Sequence, residues 1–502
     1  MTKIKMRPED PAIWERAEKI VQEWQTRKDE ILSAGTRKVE PIKVDPTEFD
    51  TLVFAKYLRV QEFFASRTLK SLRGFKAPAE AAKLDEFGGF MVEELRREAT
   101  GFFRTEKVGD RWWLFDPLGY PFYLVGVSGM TPNYQKSPAE RAAAVEKYGS
   151  IEAWAEEGTR ELREDLFINT RSVIPDEDKL LREVPRKLCY QHKFNFVGDY
   201  ERKLGTRNTT KLSGSTLLTD GMHVFDPEFE TFCDSVAKET VEKDGYRDDP
   251  YFIGYATDNE IPSELAMLDQ FLKLDVENKP FNAHSYAVAW TFLKHMTGKD
   301  EPTLADLNDS IRDQFRGLVY DRYFSVTATA IRRYDPNHMI LGARALNSAR
   351  WSEWVMRFTG YWCDLITLNW YIDWTPRTNT LEDLARWTDT PFTVTEFFAK
   401  AIDCEGELNN PIHDTEPILK TQKERGIFYQ NYVLRLLEAK NAVGWFWFQY
   451  IDHDPAVGTY GGKRSTNVGI YSNRHNLYRD LADAMAEVNR NVLPLIEYFD
   501  KR

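Results

Sequence analysis

The chain has 502 residues, 42% hydrophobic and 29% charged, which excludes intrinsic disorder and collagen-like repeats. That length holds either three ordinary domains or one α/β barrel of about 250 residues or more with an appendage. The net charge is −12 and no long basic run appears, so nucleic acid and anionic membranes are not expected partners. Aromatic residues are abundant: 14 Trp, 23 Tyr and 31 Phe, 14% of the chain. That is more ring surface than a core needs.

Residues 1–97 read as a helical N-terminal extension. Met1–Arg7 carries charge but lacks the apolar stretch of a signal peptide, and no apolar window of about 18 residues appears. A cytoplasmic protein and a leader-removed periplasmic or secreted one both fit. Asp10-Pro11 supplies an N-cap and a Pro at N1. Ile13, Trp14, Ala17, Ile20, Val21 and Trp24 then recur at helical spacing. Asp45-Pro46 begins a second predicted helix, with Phe49, Leu52, Val53 and Leu58 as its apolar positions. A third is predicted over Ala79–Arg97.

From residue 98 to 502 the pattern changes. Short β-branched and aromatic runs alternate with amphipathic stretches. The predicted strands are Tyr120–Val127, Phe167–Ile174, Phe194–Val197, Pro250–Ala256, His338–Ala343, Asp364–Trp370, Pro391–Phe397 and Val443–Tyr450. Eight strands separated mostly by helices predict an α/β fold with parallel pairing, a (β/α)8 (TIM) barrel with long loops.

Active residues of such a barrel sit at the C-terminal ends of its strands. Strand four ends in Thr257-Asp258-Asn259-Glu260, and strand seven contains Glu396 within Thr395-Glu396-Phe397-Phe398. A glutamate among apolar residues needs a cationic partner or a function. Strands four and seven face each other across a barrel mouth. Strand eight, Gly444-Trp445-Phe446-Trp447-Phe448-Gln449-Tyr450, points half its rings inward and half toward the helices. Trp445 and Trp447 are candidate sugar platforms. Gln449, Asp452 and His453 are candidate polar partners for sugar hydroxyls. Two facing carboxylates beside aromatic rings describe a glycosidase, with one acid/base and one nucleophile.

Four scattered cysteines lack a C-x-x-C pair and predict free, mostly buried thiols. The eight His residues show no H-x-H or H-x-x-x-H spacing, so neither metal nor cofactor is expected.

These stretches resemble the retaining glycoside hydrolases of clan A, and more narrowly the family 50 glycoside hydrolases, the β-agarases. The resemblance rests on Asp110–Gly126, Tyr255–Ile261, Asp335–Arg344, Thr395–Asp403, Gly444–Asp452 and Asn467–Ile470. It implies a (β/α)8 barrel that cleaves β-1,4-galactosidic bonds in agarose or its oligosaccharides, with Glu260 as acid/base and Glu396 as nucleophile. It further implies Asn259 on the sugar 2-hydroxyl and Tyr371 orienting Glu396. Arg344 and Arg171 are further candidates for substrate binding or for holding Glu396 ionised, with a structural ion pair as the alternative for each, and Asn369 is a further candidate for substrate binding. The β-sandwich that often precedes the barrel in this family has no counterpart in residues 1–97, which favours a small oligosaccharide substrate. Two other readings stay open: another clan A enzyme (an exo-β-galactosidase, or a porphyran- or carrageenan-oligosaccharide hydrolase), and a non-catalytic galactan-binding protein. Oligomeric state is not legible.

Overall fold

The computed structural model describes residues 7–35, 37–57, 60–173, 175–206, 222–404, 417–454, 456–457 and 467–502. Its centre is an eight-stranded parallel sheet. The strands are one (Leu124–Val127), two (Thr170–Ser172), three (Cys189–Lys193), four (Phe252–Ala256), five (Met339–Ile340), six (Ile366–Asn369), seven (Phe392–Phe397) and eight (Ala442–Trp447). Strand one pairs with both two and eight, and pairing continues to five on one side and to six on the other. Beyond strand five, Ala345 donates to Thr367 O at 2.8 Å and accepts from Asn369 N at 3.0 Å. These bonds join the two outer strands, as in a TIM-like barrel.

The sheet interior is filled by Leu124, Cys189, Ile253, Met339, Leu365, Val443 and Phe446. Gly126 makes room for the Phe446 ring, since a Cβ there would lie 2.2 Å from it. A three-stranded antiparallel sheet of Arg104–Val108, Arg111–Phe115 and Pro121–Phe122 adds Leu114 and Phe122 to this cluster, with Phe103 beside them. Long helices cover the outside. Asp309–Tyr334 and Ala283–Thr297 bury most of their faces.

The third strand is not Phe194–Val197. It lies just before, at Cys189–Lys193, and Phe196–Leu204 is helical. Its Tyr-Gln-His-Lys composition hides it, because parallel strands usually read as apolar runs.

The N-terminal segment is only partly helical. Pro11–Ser33 is a helix, with Asp10 accepting from Ala12 N and with Ala17, Ile20, Val21 and Trp24 buried. Trp24 meets Phe292 edge-on at 5.3 Å. The second predicted helix is instead a hairpin, Thr51–Tyr57 paired with Val60–Ser66. Leu52-Val53-Phe54-Ala55-Lys56 alternates between faces: Val53 and Ala55 are buried while Leu52 is 66% exposed. Phe64, on the second strand, stacks on Trp374 at 4.8 Å. The hairpin joins Ile418–Leu419, which pairs in turn with Lys400–Ala401 just past strand seven. Ala79–Arg97 is not a helix either, but turns and a short bridge between Leu84 and Phe90.

All four cysteines are free. Cys189, Cys233 and Cys363 are buried and Cys404 is half-buried. Among the described residues no helix is long and apolar enough to cross a membrane.

Candidate active site

Glu260 follows strand four. Thr257 N and Glu260 N donate to Gly342 O and Ala343 O at 2.8 and 3.1 Å, tying this turn to the end of strand five. Glu260 has φ +54° and Arg344 has φ +49°. Such conformations are costly for non-glycine residues and cluster at functional sites.

The Glu260 carboxyl is 9% exposed. Burial, then the charge of Glu396, pushes it up to about 7. Asn369, Arg344 and Lys193 oppose the rise. Asn369 Nδ2 donates to Glu260 Oε1 at 2.8 Å, and Thr395 Oγ1 donates to Asn369 Oδ1 at 2.8 Å. The threonine hydroxyl therefore fixes which end of the amide faces Glu260.

Glu396 sits in the opposite setting. Arg344 Nη2 donates to its Oε1 and the Tyr371 hydroxyl to its Oε2. Arg344 also reaches Thr395 O at 3.4 Å, and its own backbone N donates to Thr367 Oγ1 at 2.9 Å.

Asn259 is half-buried beside this pair, and its Oδ1 is shielded from solvent with no hydrogen-bond partner. Behind it Asp258 accepts from Val197 N at 2.9 Å and Tyr323 OH at 3.2 Å, and burial raises it to about 7. Lys193 ends strand three, open to the mouth yet crowded by protein atoms. Loss of water lowers its ammonium pKa. Arg344 acts in the same direction, and Glu396, Asp258 and Glu260 act against it.

Glu260, Glu396, Arg344, Asn369 and Tyr371 thus form one bonded cluster with Asn259 at its edge. The other candidates lie elsewhere. Arg171 is 1% exposed, pairs with Asp178 at 2.9 Å and covers the Tyr190 ring. It is a buried structural ion pair with no bond to Glu396. Trp445 and Trp447 are 0% and 1% exposed. Their indole N–H groups donate to Tyr429 OH at 2.7 Å and Val468 O at 3.0 Å, so both rings pack on the helix side of strand eight. They offer no face to a sugar. Gln449 is also fully buried, donating to Ile451 O at 2.9 Å while its Oε1 stays unbonded. Asp452 accepts from Val468 N, Gly469 N and Tyr478 OH and holds a loop.

Rings continue from Tyr371 through Phe398 to Phe448. Phe398 lies 5.5 Å from Tyr371, and Phe448 lies 5.7 Å from Phe398. Strand parity carried past Trp447 finds Phe448, because residues 446 and 448 share the face opposite Trp445 and Trp447. Thr395 and Lys193 carry no comparable sequence signal. Among the described residues no group of three or more His, Cys, Asp or Glu is placed to hold a metal ion.

Fold and site together describe an α/β barrel protein with paired carboxylates at the ends of strands four and seven. No protein-family model matches the chain. It is 20% identical to β-agarase B of Vibrio sp. (strain JT0107), an alignment covering 94% of this chain and 57% of that protein. It is 28% identical to β-agarase A of the same organism over 34% of this chain and 16% of that one. The chain thus spans little more than half the length of the first of these relatives. Among solved structures it is similar to BpGH50 (TM-score 0.77, 24% identity, covering 92% of this chain and all of that one). An exo-β-agarase gives a TM-score of 0.64 at 20% identity, covering 82% of this chain and 68% of that one. At these identities the likeness speaks for the fold.

Proposed function

We propose that this chain is a retaining glycoside hydrolase on a (β/α)8 barrel, cleaving β-1,4-galactosidic bonds in agarose-type galactans or their oligosaccharides. The observation that carries the reading is the division of labour between the two carboxyls. Burial raises Glu260 to about 7, so a large share of it stays protonated near neutrality. Glu396 is bound by a guanidinium and a phenol. Paired carboxyls with opposed settings are the acid/base and the nucleophile of a double displacement.

Glu260 gives its proton to the leaving oxygen as Glu396 attacks the anomeric carbon. Glu260 then takes a proton from the water that releases the glycosyl-enzyme. The unbonded Asn259 Oδ1 accepts from the sugar 2-hydroxyl, a bond that strengthens in the transition state. The β-agarase relatives supply the substrate class. The test is Glu396→Gln and Glu260→Gln in a folded protein, with an NMR assay of product anomers. Near-normal turnover of either variant, or an inverted first product, overturns the reading.

Lys193 at the mouth favours a second substrate, a sulfated galactan such as porphyran or carrageenan oligosaccharide. A product profile on agarose, porphyran, carrageenan and their oligosaccharides separates the two.

A further inference from the structure

Aromatic rings continue outward from the glutamate pair without a break. Tyr371, whose hydroxyl bonds Glu396, meets Phe398 edge-on at 5.5 Å and 76°. Phe398 meets Phe448 at 5.7 Å. Phe448 meets His453 at 6.4 Å and 84°. His453 lies flat on Tyr134 at 4.4 Å and 10°. The file starts just past strand six, crosses the ends of strands seven and eight, and finishes on the loop after strand one.

Exposure alternates along it. Tyr371, Phe448 and Tyr134 are half-buried. Phe398 and His453, which separate them, are 8% and 5% exposed. The buried rings act as spacers and the half-buried rings present surface.

Both ends of the file are held at a backbone cost. Ile372, directly after Tyr371, has φ +76°, severe for a β-branched residue. Gln135 and Lys136, directly after Tyr134, have φ +54° and +62°. Glu260 and Arg344 show the same kind of strain. The Tyr134 loop is also anchored to its neighbours: Ser137 Oγ donates to Asp454, and Pro132 O bonds His475 Nε2 at 3.0 Å.

We propose that Tyr371, Phe448 and Tyr134 are the sugar-stacking faces of an extended cleft, with Tyr134 building a distal subsite for a chain several sugars long. This rests on the glycosidase reading above and adds the length the substrate must have. Aromatic faces suit the apolar C–H side of a pyranose.

The experiment is Tyr134→Ala assayed on neutral agaro-oligosaccharides from tetrasaccharide to octasaccharide, with Tyr134→Phe as the conservative variant. The same series is titrated by calorimetry into Glu260→Gln and into Glu260→Gln/Tyr134→Ala. The expected result is a penalty in KM and in binding that grows with length, about fivefold on the longest member, and is restored by phenylalanine. A loss equal at all lengths, or no loss at any length, overturns the distal subsite. If the protein with Tyr134 intact neither binds nor cleaves any member, the glycosidase reading has failed for neutral galactans and the subsite falls with it. If it cleaves them while Tyr134→Ala is blind to length, only the subsite is refuted.

Discussion

Replacing Asn369 with alanine should move the titration of Glu260 upward. Asn369 Nδ2 donates to Glu260 Oε1 at 2.8 Å, and Thr395 holds the amide in that orientation. A donor amide favours the ionised carboxylate and opposes the burial and the Glu396 charge that raise it to about 7. A hydrogen bond to a charged group is worth about 1.5–3 kcal/mol. One pKa unit is about 1.4 kcal/mol. Water entering the space left by the side chain restores part of that bond, so the lower end applies and the shift is about one unit upward. Arg344 and Lys193 still favour the ionised form, which keeps the shift from running further. The assay is the pH dependence of kcat/KM on an oligosaccharide. Activity needs Glu260 protonated, so the alkaline limb starts near 7 in the native protein and should move to higher pH in Asn369→Ala. Thr395→Val frees the amide to turn and should give a smaller shift of the same sign. A limb that stays in place, or moves to lower pH, refutes the assignment of Glu260 as the acid and of Asn369 as its tuning donor.

Tyr371→Phe removes one of two donors to Glu396, and kcat should fall roughly ten- to hundredfold by steady-state kinetics. Arg171→Met removes one partner of the buried Asp178, which keeps Arg182 at 3.1 Å and the Tyr246 hydroxyl at 3.2 Å. Stability in denaturant should fall by about 1–3 kcal/mol, with substrate KM unchanged in the folded protein. Asp116 is raised to about 8 by burial and by Asp85, so its folded value lies above its unfolded one. The stability it contributes is full below the ordinary carboxylate value of about 4 and is lost as pH rises through about 8. Thermal midpoints should fall over that window, and the fall should be shallower in Asp116→Asn.

Most of the central sheet was legible because parallel strands buried on both faces read as unbroken apolar runs, as in Phe252–Ala256 and Ala442–Trp447. Cys189–Lys193 escaped because Gln191, His192 and Lys193 break the apolar run: His192 packs among Phe194, Tyr246 and Tyr255, and Lys193 faces the charges of the site. The hairpin at residues 51–66 escaped for a different reason. Phe49, Leu52, Val53 and Leu58 fit a helical spacing by chance. The alternation that settles it depends on which face meets Trp374, and that residue lies more than three hundred positions away.

The same logic explains the aromatic surplus. Composition says how many rings there are, but only strand parity and tertiary contacts say which of them meet solvent. The conspicuous Trp445 and Trp447 bury the largest apolar surfaces, and a barrel with helices outside rewards placing them between strand eight and Gln422–Glu438. Their indole N–H groups find partners there, so nothing is left to draw them toward the cleft. The rings available to a substrate are the smaller Tyr371 and Phe448. They follow the last residues of strands six and eight, where the backbone has left the sheet and the side chain no longer packs under a helix. Position past a strand end is not enough by itself: Trp370 and Phe398 directly follow strands six and seven and are buried, whereas Tyr371, Phe448 and, seven residues beyond strand one, Tyr134 keep part of their surface.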